Sequence, residues 1–312
     1  MTHPRLVSVV VVSDYASDEE SAREDLLRTL RALRAQDYGG PIEYLLADTT
    51  PAIGVLPRAV REALPGLRLV AGRTDSAEAL KNDGVAHSLG DPVVVLDADC
   101  EPATGWLGAA VGALTRGNYA AISGKTLYRQ RQLVPRLCAL FTRGYVDPGP
   151  LSTDAVSLSG NNAAFRREAI LRCPFPEDAG PFAGRIHTQR LRDAGLRIGF
   201  SERMLAFHAY DGWAIERDIR RHLGRTCIHS RLVEPSLPFA SVARWGLLSI
   251  PFFIVARIAY DWRVCLRVHA SYGVRWFEVP AALGFAVVAR SLEIPGMIDA
   301  VLNRPVPSTH YR

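Results

Sequence analysis

Hydrophobic positions follow two regimes along the chain. Up to about residue 110, short apolar runs alternate with stretches of helical spacing. Residues 6–13 (LVSVVVVS) are β-branched and nearly continuous, as a strand covered on both faces would be. Residues 19–35 then place Leu26, Leu27, Leu30 and Leu33 on one helical face, with Arg and Glu opposite. The pattern predicts strands at 42–47, 67–71 and 92–96, separated by helices at 57–64 and 76–89, with Ser76 as an N-cap. Regular alternation of strand and helix implies an open, mostly parallel sheet flanked by helices, with its ligand site at the C-terminal strand ends.

The second half is less regular. A short strand is expected at 120–123, a Gly/Pro/Ser/Asp-rich loop at 144–160, helices at 165–172 and 185–194, and a strand at 196–201. After Trp213 the alternation stops. The division expected is an α/β domain over residues 1–215 and a helical, apolar and basic region over 216–312. Hydrophobic residues make up 48% of the 312 and charged residues 22%, which excludes a disordered chain; Gly and Pro show no period, which excludes a fibrous one.

Charge sharpens the division. Residues 216–312 hold 13 Arg against 7 Asp/Glu, so the formal excess of +5 is entirely C-terminal. No basic run is interleaved with stacking aromatics, so nucleic acid is not an expected partner. A positive tail beside apolar runs fits an anionic membrane surface better. The five cysteines are widely spaced, without a CxxC pair or zinc-finger spacing, and imply a reducing compartment. The N-terminal run is too short for a secretory signal or a spanning helix, so a cytoplasmic catalytic region is expected.

The densest chemistry lies in residues 93–100, VVVLDADC. A hydrophobic strand delivers Asp97 and Asp99 to its C-terminal end, two residues apart, with Ala98 leaving the backbone room to turn. Carboxylates so placed suit Mg²⁺ or Mn²⁺ on a diphosphate. An acidic turn after a strand has the same sequence. Asp48 closes the strand at 42–47 on the same sheet edge, either as an acceptor for a base or ribose donor or as a turn cap. Lys81 and Asn82 lie on the helix just before the acidic strand.

The order of these segments resembles the family 2 glycosyltransferases, which have the GT-A fold, a Rossmann-like mixed sheet. The matching segments are VSVVVV, LRALRAQDYGG, YLLADTT, EALKNDG, VVVLDADCEPATGWL and SLSGNNAAFRRE, over roughly residues 5–210. The resemblance implies that Asp48 contacts the nucleotide base and that Lys81 and Asn82 lie near the nucleotide. It implies that Asp97 touches ribose or metal and that Asp99 binds the cation on the donor diphosphate. His208 occupies the place of a family histidine that would complete the cation's shell, and Gly160, Asn161 and Asn162 would meet the acceptor. A lone His after an apolar stretch, or a tight SGNN turn, would look the same. Trp106 and Trp213 are candidates for stacking on sugar rings or for ordinary packing.

The pattern breaks at one place. The family's acid pair, whose Asp acts as general base, aligns with Ala183 and Gly184 in PFAGRIHTQRLRDAG. Glu177 and Asp178, just upstream, are the substitute bases expected from sequence. His187, with an unperturbed pKa of about 6.5, is a further candidate, and a feeble or inactive protein that only binds is the other reading. A general base contributes roughly 10²- to 10⁴-fold.

In the tail, 245–262 and 277–289 are apolar, but their uncharged parts are shorter than the roughly 20 residues that spanning needs. They suit interfacial helices, with Trp245, Tyr260, Trp262, Tyr272 and Trp276 at headgroup depth and Arg244, Arg257, Arg263, Arg267 and Arg275 reaching lipid. Packing on the domain is the alternative. Taken together, the sequence and the resemblance predict a metal-assisted hexosyltransferase, inverting by default. Its donor would be a nucleotide sugar and its acceptor a glycan or lipid-linked molecule, as in polysaccharide biosynthesis at the cytoplasmic face of the membrane. The alternatives are an impaired transferase-like partner subunit and a nucleotidyltransferase.

Overall fold

A computed structural model describes residues 5–13, 20–49, 56–74, 76–177 and 182–304. Eight strands form one sheet in the order β3-β2-β1-β4-β7-β6-β8-β5. The first four, β1 (Val7–Val12), β2 (Ile42–Thr49), β3 (Arg68–Gly72) and β4 (Val93–Asp97), are parallel. They are joined by helices α1 (Glu20–Arg34), α2 (Arg58–Ala63) and α3 (Ala77–His87). Ser76 caps α3 as its sequence predicts, its hydroxyl accepting from the Ala79 amide.

Alternation along β1 divides the core. Val7, Val9 and Val11 pack with Leu26, Leu30 and Leu33 of α1, while Val10 and Val12 face Leu80 and Val85 of α3. Both faces are covered, which is why the strand reads as a continuous apolar run.

The sheet's second half is mixed and was only partly visible in the sequence. β4 pairs antiparallel with β7 (Asn162–Phe165), which pairs antiparallel with β6 (Ala121–Tyr128). β8 (Ile198–His208) runs parallel to β6, with a register shift at Gly124/Lys125, and antiparallel to the short β5 (Cys100–Pro102). The remaining elements up to residue 208 are helices α4 (Trp106–Gly117), α5 (Leu133–Arg143), α6 (Arg167–Arg172) and α7 (Ala183–Asp193) and a 3-10 turn at Gly144–Val146. The strand expected at 120–123 runs on to Tyr128 and that at 196–201 to His208, and α5 stands where no element was read.

From Trp213 the described elements are helical: α8 (Trp213–Val233), α9 (Ala240–Ala243), α10 (Ser249–Val268), α11 (Val279–Ser291) and α12 (Ile294–Val301). They pack on the sheet domain. Val264, Val268, Ala282 and Ala286 enclose Leu137 and Leu140 of α5, and Arg136 of α5 forms a two-pronged ion pair with Glu278. α8 and α12 touch backbone to backbone, since a Cβ on Gly224 would lie 2.0 Å from the Glu293 carbonyl oxygen and one on Gly296 1.8 Å from that of Arg221.

The interfacial expectation therefore needs correction at several residues. Arg257 does not reach outward but pairs with Glu293 at 2.7 Å, and Tyr272 is buried. Arg290 does not end the second apolar stretch. Its charge is met by Asp261 at 2.6 Å and by Glu293, so the helical run continues through Trp276–Val301, 26 residues, long and apolar enough by length and composition to cross a membrane. The outer face is apolar as expected: Trp245, Leu248, Val255, Trp262, Leu266 and Trp276 are exposed.

Gly296→Ala should destabilise the fold by about 1–3 kcal/mol, because the helix backbones must separate. Gly284→Ala, in α11 with open space around it, should be neutral or stabilise by about 0.5–1 kcal/mol. Urea unfolding of the two variants checks the contrast.

Candidate active site

The acidic motif is placed by three neighbouring pairings. β4 runs beside β1 until Val12 faces Asp97, and the chain is then fixed by the Ala98 amide on the Val12 carbonyl and the Asp97 amide on that of Asn161. Two residues on, Cys100 pairs with His208 across β5 and β8, and Tyr128 of β6 pairs with His208 from the other side. Asp99 and His208 are thereby brought together, with Asp99 Oδ2 2.8 Å from His208 Nε2.

His208 Nδ1 lies 2.5 Å from the Ala209 carbonyl oxygen. A carbonyl only accepts, so Nδ1 carries hydrogen and Nε2 is the atom turned toward Asp99. Burial opposes a charge on His208, but the Asp99 carboxylate outweighs it and the net shift is upward. The Tyr128 ring stands 5.5 Å from that of His208. Ligand atoms of Asp99, Cys100 and His208 lie within 4.8 Å of one another. Cys100 is a poor third ligand, because burial and the adjacent carboxylates push its pKa well up, and its thiol donates to Asp99 Oδ1 at 3.3 Å. The remaining pair, one carboxylate oxygen and one imidazole nitrogen, offers two ligand atoms for a divalent cation.

Asp97 points to a second partner. Its Oδ1 is 3.5 Å from Lys81 Nζ, which is itself 3.8 Å from Glu78. Burial pushes Asp97 up, and Asp99 adds to this while Lys81 opposes it. Gly160 borders this group, since a Cβ there would sit 3.9 Å from Lys81 Nζ. Asp48 is buried at the end of β2, its Oδ1 accepting from the Thr49 amide at 2.7 Å.

Other predicted residues are engaged within the chain. The Asn82 amide clamps the 175–177 segment, donating to the Phe175 carbonyl and Glu177 Oε1 and accepting from the Phe175 amide. Glu177 is shared with Arg73 at 3.2 Å; Asp178 lies outside the described residues. Asn161 accepts from Ser159 at 2.5 Å and donates to Cys100 Sγ. Asn162 takes the Trp106 indole N–H at 2.9 Å and donates to the Lys125 and Met204 carbonyls. Trp106 is thus a core residue, fully buried, and Trp213 packs on Phe285.

His187 is excluded as a substitute base by its position. It is buried against Phe165 and Phe175, its Nε2–H donating to the Cys173 carbonyl at 2.6 Å, and burial lowers its pKa to about 4. Gly184 also has a packing reason, for a Cβ there would lie 2.8 Å from the Leu158 carbonyl oxygen. Sequence reasoning missed Cys100, Tyr128 and Arg143 as neighbours of the site. Arg143 ends α5, and its charge bears on both Asp97 and His208.

Comparison with known proteins bears on the family and the fold. The family model for glycosyl transferase family 2 matches residues 10–172. The curated glycosyltransferase AglE of Haloferax volcanii is 25% identical over 198 residues, 59% of this chain; the match spans 62% of that relative's length. A solved structure of the mannosyltransferase PcManGT from Pyrobaculum calidifontis, in complex with GDP-Man and Mn²⁺, superposes with a TM-score of 0.56 at 20% identity. The superposition covers 97% of this chain and 89% of that one. At that identity the likeness shows the GT-A fold alone.

His187 makes stability depend on pH. The unfolded chain takes up a proton near 6.5 and the fold only near 4, so stability should fall as pH drops through that window, by at most about 3 kcal/mol. Chemical denaturation of His187→Phe between pH 7 and 4 should lack this component.

Proposed function

The chain belongs to glycosyl transferase family 2, and on that premise we propose that it moves a sugar from a nucleotide-sugar donor to a glycan or lipid-linked acceptor, assisted by a divalent cation at Asp99 and His208. The observation that carries this reading is the 2.8 Å approach of those two side chains at the C-terminal edge of the sheet. The mannosyltransferase with GDP-Man and Mn²⁺ supports the choice of metal. A cation there neutralises diphosphate charge and improves the nucleoside diphosphate as a leaving group.

The chain's own residues supply the rest of the reading. Asp48, buried at the end of β2, receives the base or ribose. Lys81 sets a positive charge beside Asp97, 3.5 Å from its Oδ1. His208 would hold the cation through Nε2 only as the neutral imidazole, because a proton and a metal compete for that nitrogen. Gly160, Asn161 and Asn162 form the wall toward the acceptor, their backbone held by the hydrogen bonds of the two asparagines. Glu177 would leave Arg73 and Asn82 to accept a proton from the acceptor, and Asp178 is its neighbour for the same task. Inversion by direct displacement is the outcome proposed.

A second reading, a transferase-like subunit that binds without turnover, is favoured by the tight seat of Gly184, which leaves no room for the family's acid at that position without displacing the chain around Leu158. A panel of nucleotide sugars assayed for transfer and hydrolysis separates the readings: nucleotide binding without turnover of any donor favours the subunit.

The tail suits a membrane surface, with its inner face packed on the domain and its outer face apolar, flanked by exposed Arg244, Arg263 and Arg275. We place the catalytic domain on the cytoplasmic side.

Asp99→Asn should weaken Mn²⁺-dependent binding of GDP or UDP at least about 10- to 100-fold, and unchanged affinity by calorimetry would refute the metal assignment. The variant Leu248→Ser/Val255→Ser/Leu266→Ser changes only exposed residues of the tail's outer face. It should lower binding to anionic vesicles at least about tenfold with unaltered unfolding; retained flotation with vesicles would rule out that face.

A further inference from the structure

Asp99 is the turn residue just before β5, so the β5–β8 ladder, which begins at Cys100, does not itself fix the Asp99 side chain. The last torsion of an aspartate is broad and roughly two-fold, so contacts at its two oxygens decide which way each one faces. Oδ2 meets His208 Nε2 at 2.8 Å. Oδ1 accepts from the Cys100 thiol at 3.3 Å. Cys100 stands opposite His208 across the antiparallel pair and on the same face of the sheet, which lets one carboxylate reach both.

The thiol is held from behind. Asn161 Nδ2 lies 3.3 Å from Cys100 Sγ, while Asn161 Oδ1 is 2.5 Å from Ser159 Oγ and, more loosely, 3.5 Å from Thr126 Oγ1. The direction of each bond follows from the last one. An ionised carboxylate only accepts, so the thiol gives its one proton to Asp99 and leaves sulfur lone pairs toward Asn161. The amide must then turn its NH₂ to the sulfur and its oxygen to the hydroxyls, which donate. Every donor in the row therefore points toward Asp99. Cys100, Thr126, Ser159 and Asn161 are buried, so water competes little for these groups. The Asn161 carbonyl also takes the Asp97 amide, and one residue thus bears on both acids.

A cysteine in a packed interior ordinarily acts as a small hydrophobe. Here its proton and its lone pairs are both engaged, and the row ends on the carboxylate assigned to the cation. We propose that Cys100 and Asn161 are positioning residues for Asp99: the thiol, oriented by the asparagine, fixes Oδ1 and so turns Oδ2 to the side where His208 and the cation meet. The word cation rests on the metal reading above, whereas the placing of the carboxylate stands without it.

The test is Mn²⁺ titration of the full chain in the presence of GDP or UDP, with urea unfolding to verify that each variant folds. Cys100→Ala should weaken Mn²⁺ binding about tenfold. Cys100→Ser keeps a donor and should recover most of that loss, although a hydroxyl is the poorer filler of an apolar space. A packing role gives the reverse order, and equal loss in both variants, or loss in neither, refutes the proposal. Asn161→Asp offers the sulfur only acceptor oxygens, turns the thiol away from Asp99 and should lose affinity like Cys100→Ala. Should the added charge prevent folding, Asn161→Ala, without the donor, should show a loss in the same direction; wild-type affinity in the folded variant refutes the part given to the asparagine. Crystal structures of wild type, Cys100→Ala and Cys100→Ser without metal give a second readout. The Asp99 carboxylate should leave its contact with His208 in the alanine variant alone, and a retained contact there overturns the proposal. If wild type binds no Mn²⁺, the metal reading falls, and these structures still decide the positioning.

Discussion

The site depends on one stretch of backbone pairing, the three residues of β5 against the end of β8. Asp97 and Asp99 are neighbours in the chain, yet they face different partners, because the strand ends at Asp97 and a new one begins at Cys100 in another part of the sheet. Antiparallel register sets Cys100 opposite His208, and that places the preceding carboxylate within 2.8 Å of the imidazole. Two acids separated by one alanine therefore become two stations: Asp97 with Lys81, and Asp99 with His208. A slip of one residue in this pairing would turn the side chains to opposite faces of the sheet and disperse the group.

The parallel half of the sheet was legible because β1 and most of β4 are buried on both faces and α1 has a single apolar stripe, so the local pattern and the global fold agree. The mixed half was less so. β5 is three residues long, and β8 beyond Ser201 passes through Glu202 and Arg203, polar residues that break an apolar run; its continuation is set by pairing with distant β6 and β5. Within the site, Asp99 and His208 could be anticipated from the resemblance, but their contact could not be read from spacing, since 109 positions separate them in sequence. Asn82 and Asn162 show the converse: a polar residue in a family motif has amide groups satisfied inside the fold, and nothing in its identity tells the two uses apart.

The tail illustrates the same ambiguity with charge. Arg257 and Arg290 in apolar stretches look like residues reaching for water or lipid. In the fold they converge with Arg220 on Glu293, itself fully buried, and Asp261 completes the group. A buried ionic cluster of this kind adds little net stability over a hydrophobic one, but removing one member leaves a charge without compensation and is costly. Its effect here is positional, locking α8, α10, α11 and α12 to one another at the places where Gly224 and Gly296 let the backbones touch.

That locking also fixes how the tail sits against the sheet. Helices that merely dipped into lipid could swing relative to the sheet. Here the inner face of the tail shares its core with α5, whose last residue, Arg143, projects its charge into the candidate active site. The outer apolar face and the sheet edge are consequently linked through packed side chains. Whatever surface the tail rests on, the distance from that surface to Asp99 is set by side-chain packing, and a transferase built this way would select its acceptor partly by reach.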